Sequence, residues 1–177
     1  MALDPEKEIS SLWRALQGAQ GATRRTFYQM RQAAIEVAGP DANPLDIAVK
    51  AWEIIGKDTG KSYLPRMNLL KGEEGLMMNV ARAYQGLWTT NGAVVKIEKG
   101  KSPSEIFIIW ERCPWPTSAK EYGASMKEDL LGCDRYLQAF LEEVNAFLGT
   151  NLKIETQKAI PKGDGVCVRR LYKPEDK

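Results

Sequence analysis

Residues 93–113, "AVVKIEKGKSPSEIFIIWERC", decide the fold, because the spacing of apolar residues changes here. Two short runs rich in β-branched and aromatic residues flank "GKSPS", and such a pattern predicts a β-hairpin. Downstream, from about Ser118 to Leu148, the spacing becomes helical, with Gly132 as the expected point of any break. "LKIETQKAI" and "GVCVRRLY" then predict a second hairpin around "PKGDG". The expected order is β-β-α-β-β: a four-stranded, mainly antiparallel sheet packed against a long helical segment.

Upstream the period is helical throughout. Ile9, Leu12, Trp13, Leu16, Phe27, Met30, Ala34 and Val37 recur at three- and four-residue steps, with a kink or break expected at Gly18 and Gly21. Pro44 opens a second helix through Ile55, expected to stop at "GKDTGKS", and Glu73 to Trp88 forms a third. The stripes containing Trp13, Phe27, Trp52 and Ile55 are expected to pack on the sheet or its edges. The fold class is therefore α+β, a single domain over 1–177 with a helical region 1–91 and a core 92–174.

"GKDTGKS" ends like a phosphate-binding loop but lacks its glycine spacing and its preceding strand, so it reads as solvated lysines at a helix end. A net charge of +2 gives no reason to expect nucleic acid or an anionic membrane as partner. The acidic start "MALDPEKEIS" is unlike a secretory signal, and no apolar run approaches the length of a span, so the expectation is a cytoplasmic protein with reduced thiols.

The chain has no histidine. Imidazole bases and ligands are excluded, and acid, base or nucleophile must be a carboxylate, lysine, tyrosine or one of the three thiols, Cys113, Cys133 and Cys167. A buried cysteine is most often a small packing residue. Cys113, however, sits at a strand end before Pro114, sharing parity with Phe107 and Ile109, and Cys167 starts the last strand. If those two strands pair antiparallel, the thiols become neighbours. Cys133 lies on the helix that must cover the sheet, next to Asp134, which reads as a solvated or capping carboxylate or as a group that orients a thiol. Asp164, in Gly-Asp-Gly, reads as turn chemistry. Glu155 faces solvent by default, and a helix-facing Glu155 would have a raised pKa suited to proton transfer. The five tryptophans, including Trp110 and Trp115 on either side of Cys113, read as core and rim packing or as the walls of an apolar pocket.

"WERCP", "LGCDRYL" and "ETQKAIPKGDGVCVRRL", taken in order, resemble the L-2-amino-thiazoline-4-carboxylic acid hydrolase family over roughly Val94 to Tyr172. The closing motif also resembles the vinyl-4-reductase-like domains, implicated in binding hydrophobic small molecules. Those carry a further cysteine where this chain reads Gln157, Lys158, Ala159. Arg169 stands where the hydrolase pattern has an aromatic residue.

The resemblance implies a hydrolase-like core and a cysteine-dependent hydrolase acting on a small cyclic amidine or thiazoline-like C–N bond, without a cofactor. On that reading Cys113 or Cys167 is the nucleophile and Asp134 or Glu155 the proton carrier. Lys158, Arg112 and Arg169 supply positive field, and Cys133, Trp110, Trp115, Lys158 and Arg169 line the substrate site. The alternative is a non-catalytic module holding a small molecule or a metal in a cysteine-lined pocket, although no Cys-x-x-Cys pair is present to anticipate a zinc site. A third reading is an interaction protein whose N-terminal helices meet a partner, a second copy of the chain included.

Overall fold

A computed structural model describes residues 4–67 and 73–174, so the first three residues of the acidic start lie outside it. Helix α1 spans Pro5–Ala38, α2 Pro44–Met67 and α3 Glu73–Thr89; strands β1 (Val94–Lys99) and β2 (Glu105–Arg112) follow. Helices α4 (Trp115–Glu121) and α5 (Met126–Leu148) lead to β3 (Lys153–Lys158), a 3-10 turn over Ile160–Lys162, and β4 (Cys167–Tyr172). The four strands form one sheet of order β1-β2-β4-β3 in which all neighbours are antiparallel. This is the expected α+β architecture of N-terminal helices, two hairpins and a long helix packed on the sheet.

The inner face of the sheet carries Val95, Ile106, Ile108, Trp110, Ile154, Cys167 and Leu171, closed over by α3 and α5. Because "EIFIIWER" is apolar at both parities, periodicity could not choose the buried face. The buried residues are Ile106, Ile108 and Trp110, not the set containing Phe107 and Ile109.

The N-terminal helices differ from expectation in three places. α1 runs unbroken through Gly18 and Gly21, and nothing lies within 4 Å of a Cβ placed at either. Asp4 caps its start by accepting the Glu6 N–H at 3.2 Å, and Pro5 opens the helix without losing an intrahelical hydrogen bond. Its first turns stand away from the core, so Trp13 is 60% exposed and the expectation that this part of the stripe is covered does not hold. The second half is fixed by Arg31, whose Nε donates to Glu128 Oε2 at 2.6 Å with both side chains buried.

α2 also continues through "GKDTGKS" instead of ending there. Gly56 and Gly60, one turn apart, press on the α5 backbone: a Cβ would lie 2.5 Å from the Tyr136 carbonyl oxygen in one case and 2.9 Å from that of Phe140 in the other. The glycines are therefore a contact surface between two helices and not a stop. The helical break near residue 132 falls instead between α4 and α5, where Ser125 and Glu128 form a reciprocal capping box. Gly132 lies in mid-helix because the Trp52 indole occupies the space a Cβ would need.

Gly56→Ala should therefore lower stability by about 1–3 kcal/mol through overpacking, against a helix-propensity gain of about 1 kcal/mol. Gly18→Ala, with open space around it, should raise stability by up to about 1 kcal/mol. Urea midpoints of the two variants moving the same way would contradict this account of the α2–α5 contact.

Candidate functional site

β2 and β4 pair with Trp110 opposite Cys167. β2 ends at Arg112, and the chain then turns through Pro114 into α4, carrying Cys113 inward beside the start of β4. α5 lies across this end of the sheet and contributes Asp129 and Cys133. The three thiols thus line one cavity, together with Asp129, Arg169 and the indoles of Trp52, Trp88, Trp110 and Trp115. Its volume is about 20 Å³, room for about one water.

Arg169 organises the floor. It is buried on the inner face of β4; Nη2 reaches Asp134 at 2.9 Å and Cys133 Sγ at 3.8 Å, and Nη1 donates to the Lys158 carbonyl at 3.0 Å. Its guanidinium carbon lies 6.0 Å from the centre of a Trp110 ring. An aromatic residue here would leave the cavity floor neutral; arginine puts a permanent cation beside two thiols. Asp134 faces inward but is engaged, accepting the Thr156 hydroxyl at 2.6 Å as well as Arg169.

The thiols differ electrostatically. Burial pushes Cys113 up to about 12 and Cys133 well above its ordinary range. Burial also raises Cys167, but the Ile160 N–H donates to its sulfur at 3.2 Å and Arg169 further favours the thiolate. The motif around "GDG" explains that N–H. Asp164 accepts the Ala159 N–H at 2.8 Å, which fixes the 3-10 turn and aims the next peptide, that of Ile160, at the thiol. Asp164→Ala should slow alkylation of Cys167 about tenfold and move its pH midpoint upward, because loss of one sulfur-directed hydrogen bond costs about 1–1.5 kcal/mol. An unchanged midpoint would leave Asp164 as a turn residue only.

Asp129 is the functional group that the sequence reading missed. It is buried at the cavity, and its carboxyl is pushed up to about 7, chiefly by burial, with Arg169 opposing and Asp134 adding to the rise. Among the described residues it accepts no side-chain hydrogen bond. Trp52 and Trp88, from α2 and α3, join Trp110 and Trp115 as cavity walls.

Three other candidates lie elsewhere. Glu155 is on the outer face of β3, where its carboxylate meets Arg170 at 3.3 Å and the Gln157 amide at 2.7 Å. The side chains of Lys158 and Arg112 are exposed at strand ends, and only the Lys158 carbonyl reaches the site. Among the described residues, no three His, Cys, Asp or Glu side chains are arranged to hold a metal. No described helix is long and apolar enough to cross a membrane.

Fold and cavity together define an α+β protein with a thiol-lined internal pocket. The model of the L-2-amino-thiazoline-4-carboxylic acid hydrolase family matches residues 21–171, and the chain belongs to that family. Membership points to hydrolysis of a thiazoline-type C–N bond, hence to a small-molecule substrate. The match takes in α2, α3 and the second half of α1, which the sequence motifs alone did not cover.

No curated protein matches in sequence. Among solved structures, the phenol-responsive sensory domain of the transcription activator PoxR, with phenol, shares the fold at TM-score 0.53 and 8% identity, over 85% of this chain and 74% of that one. A trafficking protein particle complex subunit 3 from Naegleria fowleri, covalently bound to palmitic acid, aligns at TM-score 0.46 and 13% identity, over 88% and 97% of the two chains.

Proposed function

We propose that the chain is a cysteine-dependent hydrolase of a cyclic amidine of the thiazoline type, with Cys167 as nucleophile, Asp129 as proton carrier and Arg169 as the cation that favours the thiolate. The observation that carries this reading is the meeting of Cys167, Asp129 and Arg169 at one cavity in a chain with no histidine. Cys167 is preferred to Cys113 because, although a backbone N–H and the Arg169 charge act on both sulfurs, burial pushes Cys113 up to about 12 and raises Cys167 less. Asp129 replaces Asp134 and Glu155 as proton carrier: Asp134 is held by Arg169 and Thr156, and Glu155 lies on the far face.

The Cys167 sulfur bonds to the amidine carbon as the C=N π pair moves to the ring nitrogen. That nitrogen collects the thiol proton and the proton of neutral Asp129 as the C–N bond breaks, and leaves as an amine with the bonding pair. Water then adds to the resulting iminium carbon, which holds the exocyclic nitrogen, the former ring sulfur and the Cys167 sulfur. Collapse forms the carbonyl, expels the Cys167 sulfur and returns one proton to it and one to Asp129. The pKa of Asp129, near 7, suits both halves of this exchange.

Incubation of the purified protein with 2-amino-thiazoline-4-carboxylate tests the reaction. Expected are ring opening with the gain of one water and, on rapid quench, a covalent adduct on the peptide carrying Cys167. Absence of turnover across pH 6 to 9 would overturn the enzyme reading.

A further inference from the structure

At about 20 Å³ the thiol cavity is smaller than any thiazoline, so a substrate must extend beyond it. The adjoining space is specific. A groove of about 510 Å³ between α1, α2 and α3 shares Trp52, Trp88 and Trp115 with the cavity as a common wall. That volume is typical of a small-molecule site.

Its lining says what it suits. Phe27, Met30, Ile47, Ala51, Ile55 and Leu87 supply the surface. The polar side chains among them are already engaged within the chain: the Thr23 hydroxyl donates to the Ala19 carbonyl, Thr59 to that of Ile55, the Asn91 amide to that of Leu87, and Arg31 to Glu128. The groove therefore offers a mainly apolar surface. On the cavity side the position is reversed, for the Trp110 Nε1–H is buried without a hydrogen-bond partner among the described residues. A buried donor left unpaired costs about 1–3 kcal/mol, which an acceptor on a ligand recovers.

We infer that the substrate of this chain is a cyclic amidine bearing an aryl or alkyl substituent: only the reacting C–N edge of the ring reaches the thiol cavity, where it accepts from Trp110, and the rest of the ring with its apolar substituent lies in the α1–α2–α3 groove. This rests on the hydrolase reading for the identity of the ring and on the groove alone for the substituent.

The test compares 2-amino-thiazoline-4-carboxylate with its 2-(phenylamino) derivative. Turnover is measured on the native chain, and binding to the Cys167→Ser chain is followed by quenching of tryptophan fluorescence. The phenyl compound should bind at least tenfold more tightly, as expected for burial of an aromatic ring. Ala51→Phe, which fills the groove, should remove that advantage and leave binding of the parent compound unchanged. If Ala51→Phe fails to fold, Ile55→Trp at the exposed rim serves the same purpose. Turnover of the parent with no phenyl advantage overturns the substituent and leaves the hydrolase standing. A phenyl advantage lost in the groove variant, without turnover of either compound, supports the groove and removes the hydrolase. A groove closed by a second copy, seen as a dimer by light scattering with no phenyl advantage, also overturns the inference.

Discussion

Cys167→Ser should abolish hydrolysis, by about 10,000-fold or more, while leaving the fold in place. Serine keeps the shape and still accepts the Ile160 N–H, but its hydroxyl is far less acidic than a thiol, and one hydrogen bond with a neighbouring guanidinium does not ionise it. Cys113→Ser serves as the control. Its thiol is pushed up to about 12, so it is not ionised at neutral pH, and its loss should cost less than about tenfold. Equal losses in the two variants, or loss only in Cys113→Ser, would falsify the assignment of the nucleophile. Circular dichroism and the urea midpoint separate chemistry from unfolding.

Asp129→Asn should reshape the dependence of stability on pH. In the native state the carboxyl is raised from an ordinary 3.8 to about 7. The folded chain then holds this proton more tightly than the unfolded one, so its contribution is fully present below about pH 4 and is lost as pH rises through about 7. The loss is on the order of 4 kcal/mol for a shift of about three units at a buried site. Asparagine has the same volume and no charge to desolvate. The variant should therefore match the parent below about pH 4, exceed it increasingly from there to about pH 7 and keep a level advantage above that, while losing hydrolysis because no proton is carried. The Arg31–Glu128 pair is present in both proteins and cancels in the comparison. Parallel stability profiles would show that Asp129 is ionised in the folded chain at neutral pH.

The two hairpins and the covering helix were legible because alternation and turn residues act over a few neighbours. Helix boundaries in the N-terminal half were not. Gly56, Gly60 and Gly132 read as breakers, yet each is a place where α2 and α5 approach closely, and only the partner helix reveals that. The site divides in the same way. Cys113, Cys167 and Arg169 could be singled out from strand ends and motif order. Asp129 could not, for an acid in the first turn of a helix behind a serine cap is what the helix dipole favours at any surface. Its burial comes from tertiary packing, as does the placement of Trp52 and Trp88 at the cavity.

The strand order carries a consequence for how the chain comes to be folded during synthesis. β4 is made after the other strands but lies between β2 and β3, so until it is added those two strands have no shared neighbour. The nascent protein can form its helices and first hairpin early, whereas the half-built sheet offers unpaired edges on both sides of the missing strand. Cys113 and Cys133 have already been synthesised at that stage, and Cys167, Arg169 and the turn that aims Ile160 have not. The pocket thus closes in one late step, and before that step its first two thiols are more open to oxidants and aggregation partners than afterwards.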